Sequence, residues 1–142
     1  MTSITEILIT SSKPNEMIKL TSLVEDVVSK SSVGIGSVTV ITAHTTTGIT
    51  VNEGLECLED DILQTLKRIV PDELPYKHAR FLPTYGRTSA NATGHLRGML
   101  LGNSCVFPIR NARMLLGDAQ EIYLVELDGP QQRKIYVEIA GE

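Results

Sequence analysis

No apolar run in this chain approaches the ~20 residues that a membrane-spanning helix requires, and no block of basic residues is present. The 13 Lys and Arg are scattered among 17 Asp and Glu, for a formal charge of −4. The first absence argues against a helical membrane anchor, and the second removes the electrostatic footprint of a non-specific nucleic-acid binder. A Pro/Gly/Ser-rich stretch long enough to separate two domains is also missing, so residues 1–142 read as one domain. Met1 to Thr10 lacks the basic flank of a targeting segment, and a cytoplasmic location is the expectation. The 2 cysteines, Cys57 and Cys105, stand apart from each other among apolar neighbours and read as buried reduced thiols. HExxH, CxxC, GxSxG, Walker and dinucleotide-binding patterns are all lacking. No short motif names a chemistry.

What is present is an ordinary folded composition, 42% hydrophobic and 21% charged, from which disorder is not expected. Ser3 to Ile9 is rich in β-branched residues and reads as a strand. Asn15 to Ser31, following Pro14, places Met17, Leu20, Val24, Val27 and Val28 at three- and four-residue steps, the pattern of an amphipathic helix. Gly36 to Thr42 reads as a buried strand, and Leu55 to Val70 as a second helix stopped by Pro71. Pro71 to Ala92 has three prolines but no period and reads as a long loop. His95 to Leu101 reads as one or two helical turns, and Ser104 to Ile109, Ile122 to Leu127 and Arg133 to Ile139 as strands. Turns fall at Arg110 to Arg113 and at Asp128 to Gly129. Two helices, about seven strands and no βαβ rhythm give an α+β class.

The candidate chemistry gathers around the 3 histidines: His44 in AHTTTGITVNEG, His78 in PYKHARF and His95 in SANATGHLRGMLLGNS. A lone histidine is more often a hydrogen-bonded structural residue than a ligand. Here, however, His44 ends a buried strand beside Thr45, Thr46, Thr47, Asn52 and Glu53, while His78 and His95 bracket a loop carrying Arg80, Arg87 and Asn91. If the imidazoles converge, they suit zinc, iron or nickel and would activate a water at an open position. The competing use is anion recognition, with Arg80, Arg87 and the hydroxyls of Thr45 to Thr47 gripping a phosphate. Both uses are compatible. Nucleophilic catalysis is weaker, because Ser89, Ser104 and Cys57 have no activating context. Glu56, Glu59, Asp60 and Asp61 read as a solvated helix face.

The ordered blocks HTTTGITVNEG (His44 to Gly54), YKHARFLPTYGR (Tyr76 to Arg87), NATGHLRGMLLGNS (Asn91 to Ser104) and YLVELDGPQQRKIYVEIAGE (Tyr123 to Glu142) resemble the YjbQ-like family over most of the chain. The resemblance implies a YjbQ-like seven-stranded β-sandwich with two main helices, assembled as a homotrimer. It implies His44, His78 and His95 as a metal set, with zinc the natural divalent ion, and Glu53, Arg87 and Asn91 as catalytic residues close by. Thr45, Thr46, Arg87 and Asn91 then bind a small phosphorylated metabolite. Some members are similar to a secondary thiamine-phosphate synthase, which joins a pyrimidine diphosphate to a thiazole phosphate. Magnesium would serve the diphosphate, yet the matching residues are imidazoles, so a side activity is expected. The alternative is a non-catalytic metal- or metabolite-binding protein. One departure stands out: Gly117, Asp118, Ala119 and Gln120 replace the family's G-T-W-Q, removing the large apolar surface of a tryptophan.

Overall fold

Two antiparallel sheets share the β-branched residues of the chain. The computed structural model describes residues 1–79, 81, 82, 86, 87 and 90–142. In the larger sheet β1 (Thr2–Thr10) pairs with β10 (Gln132–Gly141), β10 with β3 (Ile35–Thr42), and β3 with β7 (Ser104–Arg110) and the short β8 (Arg113–Met114). Strict alternation sends Ile135, Val137 and Ile139 of β10 inward, beside Val38 and Val40 of β3, while Lys134, Tyr136 and Glu138 take the other face. The smaller sheet has the order β2 (Glu16–Lys19), β9 (Gln120–Glu126), β4 (Thr47–Glu53). β9 is buried on both faces. Ile122 and Leu124 meet the larger sheet, and Tyr123 and Val125 meet Leu66 and its neighbours on α2 (Glu56–Ile69). Helix α1 (Thr21–Lys30) adds Val24 and Val28 to the core between the sheets.

This architecture is α+β but overturns the expected seven-stranded sandwich with two helices. Among the described residues the sheets have five and three strands, with a separate two-stranded pair β5 (Phe81–Leu82) and β6 (Gly86–Arg87), and there are three α-helices. The helix expected from Asn15 begins only at Thr21, because Met17 and Ile18 pair with Val125 and Leu124 as β2 before Leu20 turns the chain inward. Short-range spacing of apolar residues serves either period, and the partner strand decides. The third helix, α3 (Ala92–Leu101), starts three residues earlier than the sequence indicates. Within the stretch read as loop, Lys77–Ala79 form a 3₁₀ turn. The cysteines are unpaired, but Cys57 is exposed rather than buried, since it faces outward on α2. Cys105 is half-buried, and burial pushes its thiol up to about 11.

Two buried arginines hold the end of the molecule where the histidines lie. Arg133 forms a bidentate pair with fully buried Glu126, at 2.8 Å from Nε and 2.6 Å from Nη2, and Nη2 also reaches Thr46 Oγ1 at 2.8 Å. The Ser11 hydroxyl and the Asp128 amide complete the shell around Glu126. Arg97 on α3 donates to the Val70 carbonyl at the end of α2 and to Asp72, tying the two helices together.

Candidate functional site

His44 follows the last residues of β3, in the turn that leads to β4. The turn is closed by its own threonines: the His44 amide donates to Thr42 Oγ1 at 3.2 Å, Thr42 and Thr47 hydroxyls share a 2.7 Å bond, and Thr47 donates to the His44 carbonyl at 3.2 Å. Thr46 is buried with its hydroxyl on Arg133. Thr45 alone of the three following threonines is exposed. The His44 ring turns back to β10, where the Lys134 amide donates to its Nε2 at 2.9 Å. Burial lowers the pKa of His44, and the Arg133 guanidinium nearby lowers it further against the opposing pull of Glu126.

Helix α3 brings His95 to the same place. It sits close against the β3–β4 turn because Gly94 and Gly98 face backbone: a Cβ on Gly98 would meet Thr47 O at 2.8 Å, and one on Gly94 would meet Leu127 O at 2.8 Å. His44 and His95 therefore line one cavity of about 460 Å³ with Thr45, Gly98, Met99 and Asn103. His95 also lines a second cavity of about 370 Å³ with His78, Tyr76 and Leu96. The His78 and His95 rings meet edge to face with centroids 4.8 Å apart. Burial lowers the pKa of His95, followed by the proximity of His78, while Asp128 and the Thr45 carbonyl favour its charged form. Asn91 precedes α3 and donates to Asp128 at 2.8 Å rather than capping the helix. Its buried Oδ1 has no partner among the described residues, an acceptor facing a ligand's donor or costing desolvation energy.

The structure thus brings His44, His95 and Thr45 around one cavity and places His78 and Asn91 beside His95. Glu53 is separate. It is exposed at the far end of β4, six residues and about 20 Å along the strand from Thr47. Asp118 and Ala119 form an exposed turn before β9 at that same distant end, since Gln120 pairs with Glu53. Arg80 and the Arg87 side chain lie outside the described residues. Sequence reasoning passed over Gly98 and Asn103 in the cavity wall and Asp128 beside Asn91; the spacing of Gly94, Gly98 and Gly102 was the available signal for a close helix contact.

Among the described residues no three His, Cys, Asp or Glu side chains are grouped to hold a metal ion, and the His44 Nε2 lone pair is already used by the Lys134 amide. Magnesium on a diphosphate calls for carboxylates, and the cavity lining contains none among the described residues.

With this geometry in view, the family model described as "UPF0047 protein YjbQ-like" matches residues 5–142. The chain belongs to the YjbQ-like family. A UPF0047 protein of Archaeoglobus fulgidus is 38% identical over 132 residues, covering 93% of this chain and 97% of that one. Another from Methanothermobacter thermautotrophicus is 36% identical over 137 residues, covering 96% and 91%. Among solved structures, a YbjQ-like protein of unknown function from Sulfolobus solfataricus superposes with a TM-score of 0.91 at 34% identity over 100% of this chain and 99% of that one. An uncharacterized YjbQ/UPF0047 protein from Clostridium acetobutylicum gives 0.87 at 34% identity, covering 96% and 99%. The YjbQ-like match includes the β3–β4 turn and α3, which line the histidine cavity, and the β9–β10 hairpin, whose Lys134 and Arg133 hold His44 and Thr46.

Proposed function

We propose that this YjbQ-like protein binds a small phosphorylated metabolite in the cavity between the β3–β4 turn and α3, and that His95 moves a proton on it. The observation that carries this reading is that two imidazoles, His44 and His95, line a single cavity of about 460 Å³. Burial lowers both pKa values. A ring kept neutral near neutral pH is ready to accept a proton, and the His78 ring beside His95 and the Asp128 carboxylate pull its basicity in opposite directions. Thr45, exposed at the rim, supplies a hydroxyl to the ligand. Thiamine-phosphate synthesis is then a weak side activity, because a diphosphate leaving group is ordinarily handled by magnesium on carboxylates.

The test is calorimetric titration with inorganic phosphate and thiazole phosphate, followed by a transfer assay with the pyrimidine diphosphate. Binding that weakens in His95→Gln, together with slow transfer, supports the proposal; no binding of either compound by the parent refutes it. A second reading, metabolite binding without catalysis, is favoured by the lack of any carboxylate or cation among the described cavity-lining residues. Binding with no turnover would select it. We also propose a homotrimer, supported by exposed Ile4, Leu8 and Val106 on the outer face of the larger sheet. Light scattering at the mass of a 15.5 kDa monomer would exclude it.

A further inference from the structure

The ladder between β3 and β10 ends in an unusual way. Ala43 still donates its amide to the Lys134 carbonyl at 3.1 Å, but the Lys134 amide finds no strand carbonyl. It donates instead to the ring of His44, at 2.9 Å from Nε2. A ring nitrogen that accepts a peptide N–H carries a free lone pair and no proton, so the proton of the neutral ring is on Nδ1. Protonating the ring, or shifting its proton to Nε2, sets two N–H groups against each other and leaves the Lys134 amide without an acceptor. Metal binding at either nitrogen breaks the same bond: at Nε2 the ion displaces the amide, and at Nδ1 the proton is driven onto Nε2. Nδ1 itself has no hydrogen-bond partner among the described residues and is not a buried unpaired atom. The ring itself lines the cavity with Thr45.

We propose that His44 is a fixed neutral hydrogen-bond donor, presenting Nδ1–H to an oxygen of the bound anion, and that the Lys134 amide withholds its Nε2 from metals. The donor half rests on the anion-binding reading of the cavity; the tautomer rests on the hydrogen bond alone. A neutral donor beside the Thr45 hydroxyl selects ligands by the position of an oxygen rather than by net charge, and it costs no reorganisation when the oxygen arrives.

Long-range proton–nitrogen correlation on the uniformly ¹⁵N-labelled full chain at neutral pH reads the tautomer directly. The expected result is a protonated Nδ1 and a bare Nε2 for His44, unchanged by equimolar zinc and shifted by inorganic phosphate. His44→Gln, which can still accept from Lys134 and donate to a ligand, should bind phosphate within about threefold of the parent, whereas His44→Ala should lose about tenfold, the worth of one hydrogen bond. Melting curves confirm that both variants are folded. A protonated Nε2, a zinc-induced shift at Nε2, or parental affinity in His44→Ala overturns the proposal. A parent that fails to bind phosphate overturns the donor role together with the anion reading. The tautomer, recorded without ligand, distinguishes that failure from an error in the hydrogen bond.

Discussion

Replacing Gly98 by alanine tests whether the close seating of α3 creates the cavity. The new Cβ would lie 2.8 Å from Thr47 O, 3.4 Å from Thr47 C and 3.5 Å from Thr45 O, all backbone atoms of the turn that carries His44. Carbon–oxygen contacts settle near ~3.3–3.6 Å, so the helix must retreat by about half an ångström. Overpacking of this kind costs about 1–3 kcal/mol, against a gain of about 0.5–1 kcal/mol from removing a helical glycine. The net loss is then about 1–2 kcal/mol, a drop in Tm of roughly 3–8 °C for a chain of this size. Thermal denaturation measures it, with Leu100→Ala on the exposed side of the same helix as control, expected within about 0.5 kcal/mol of the parent. The displaced His95 should also weaken phosphate binding. A Gly98→Ala variant melting at or above the parent would refute the argument, because ordinary helix propensity would then have prevailed over the contact.

Breaking the buried pair by Arg133→Met should cost about 3–5 kcal/mol in urea denaturation, because Glu126 is left charged and uncompensated, and adding Glu126→Gln should restore much of it. Stability should fall with acid in two stages. His44 and His95 are held below their usual 6.5, so their contribution is complete above that value and lost as the pH falls through the lower folded-state pKa values. Burial alone would raise the Glu126 pKa, but its bonds from Arg133, Ser11 and the Asp128 amide outweigh it and hold the group below 4.5, which places the second loss beneath that pH. Melting curves across roughly pH 8 to pH 3 should therefore show a smaller first step in His95→Gln than in the parent. Ala119→Trp, on an exposed turn at the far end of β9, should leave phosphate affinity within about twofold; a larger change would bring that turn to the cavity.

The elements legible in the sequence are those whose pattern was complete within a few residues. Ser104 to Ile109, Ile122 to Leu127 and Arg133 to Ile139 all lie within or almost coincide with observed strands, and Leu55 to Val70 brackets α2 by one residue at each end. β2 and β4 were not legible, because each owes its existence to β9 between them. Thr47, Thr50, Asn52 and Glu53 look like a polar loop until Glu126, Tyr123, Glu121 and Gln120 supply the facing strand. The Glu126–Arg133 pair was hidden for a similar reason: seven residues separate its members across the β9–β10 turn, and only the charge inside YLVEL signalled that a buried partner was needed. For the site, the sequence located His44 and the threonines at a strand end and joined them to His95. It could not assign direction to the His44 ring, since that depends on an amide 90 residues away.

That last dependence bears on how polar clusters near strand ends are weighed. Of the hydroxyls from Thr42 to Thr47, those of Thr42, Thr46 and Thr47 are consumed in fixing the turn or holding Arg133, and only Thr45 is left facing outward. The same division passes through His44 itself, whose Nε2 completes the sheet while Nδ1 makes no bond among the described residues. A residue anchored in this way loses the freedom to turn a lone pair toward a metal but gains a fixed proton direction without any further loss of side-chain entropy on binding. His95 instead has the Thr45 carbonyl of the turn and the Asp128 charge favouring its protonated form, with the His78 imidazole beside it opposing them. The two histidines are therefore suited to different tasks, His44 to holding an oxygen in place and His95 to changing its protonation state, and a substitution that is tolerated at one position should not be expected to succeed at the other.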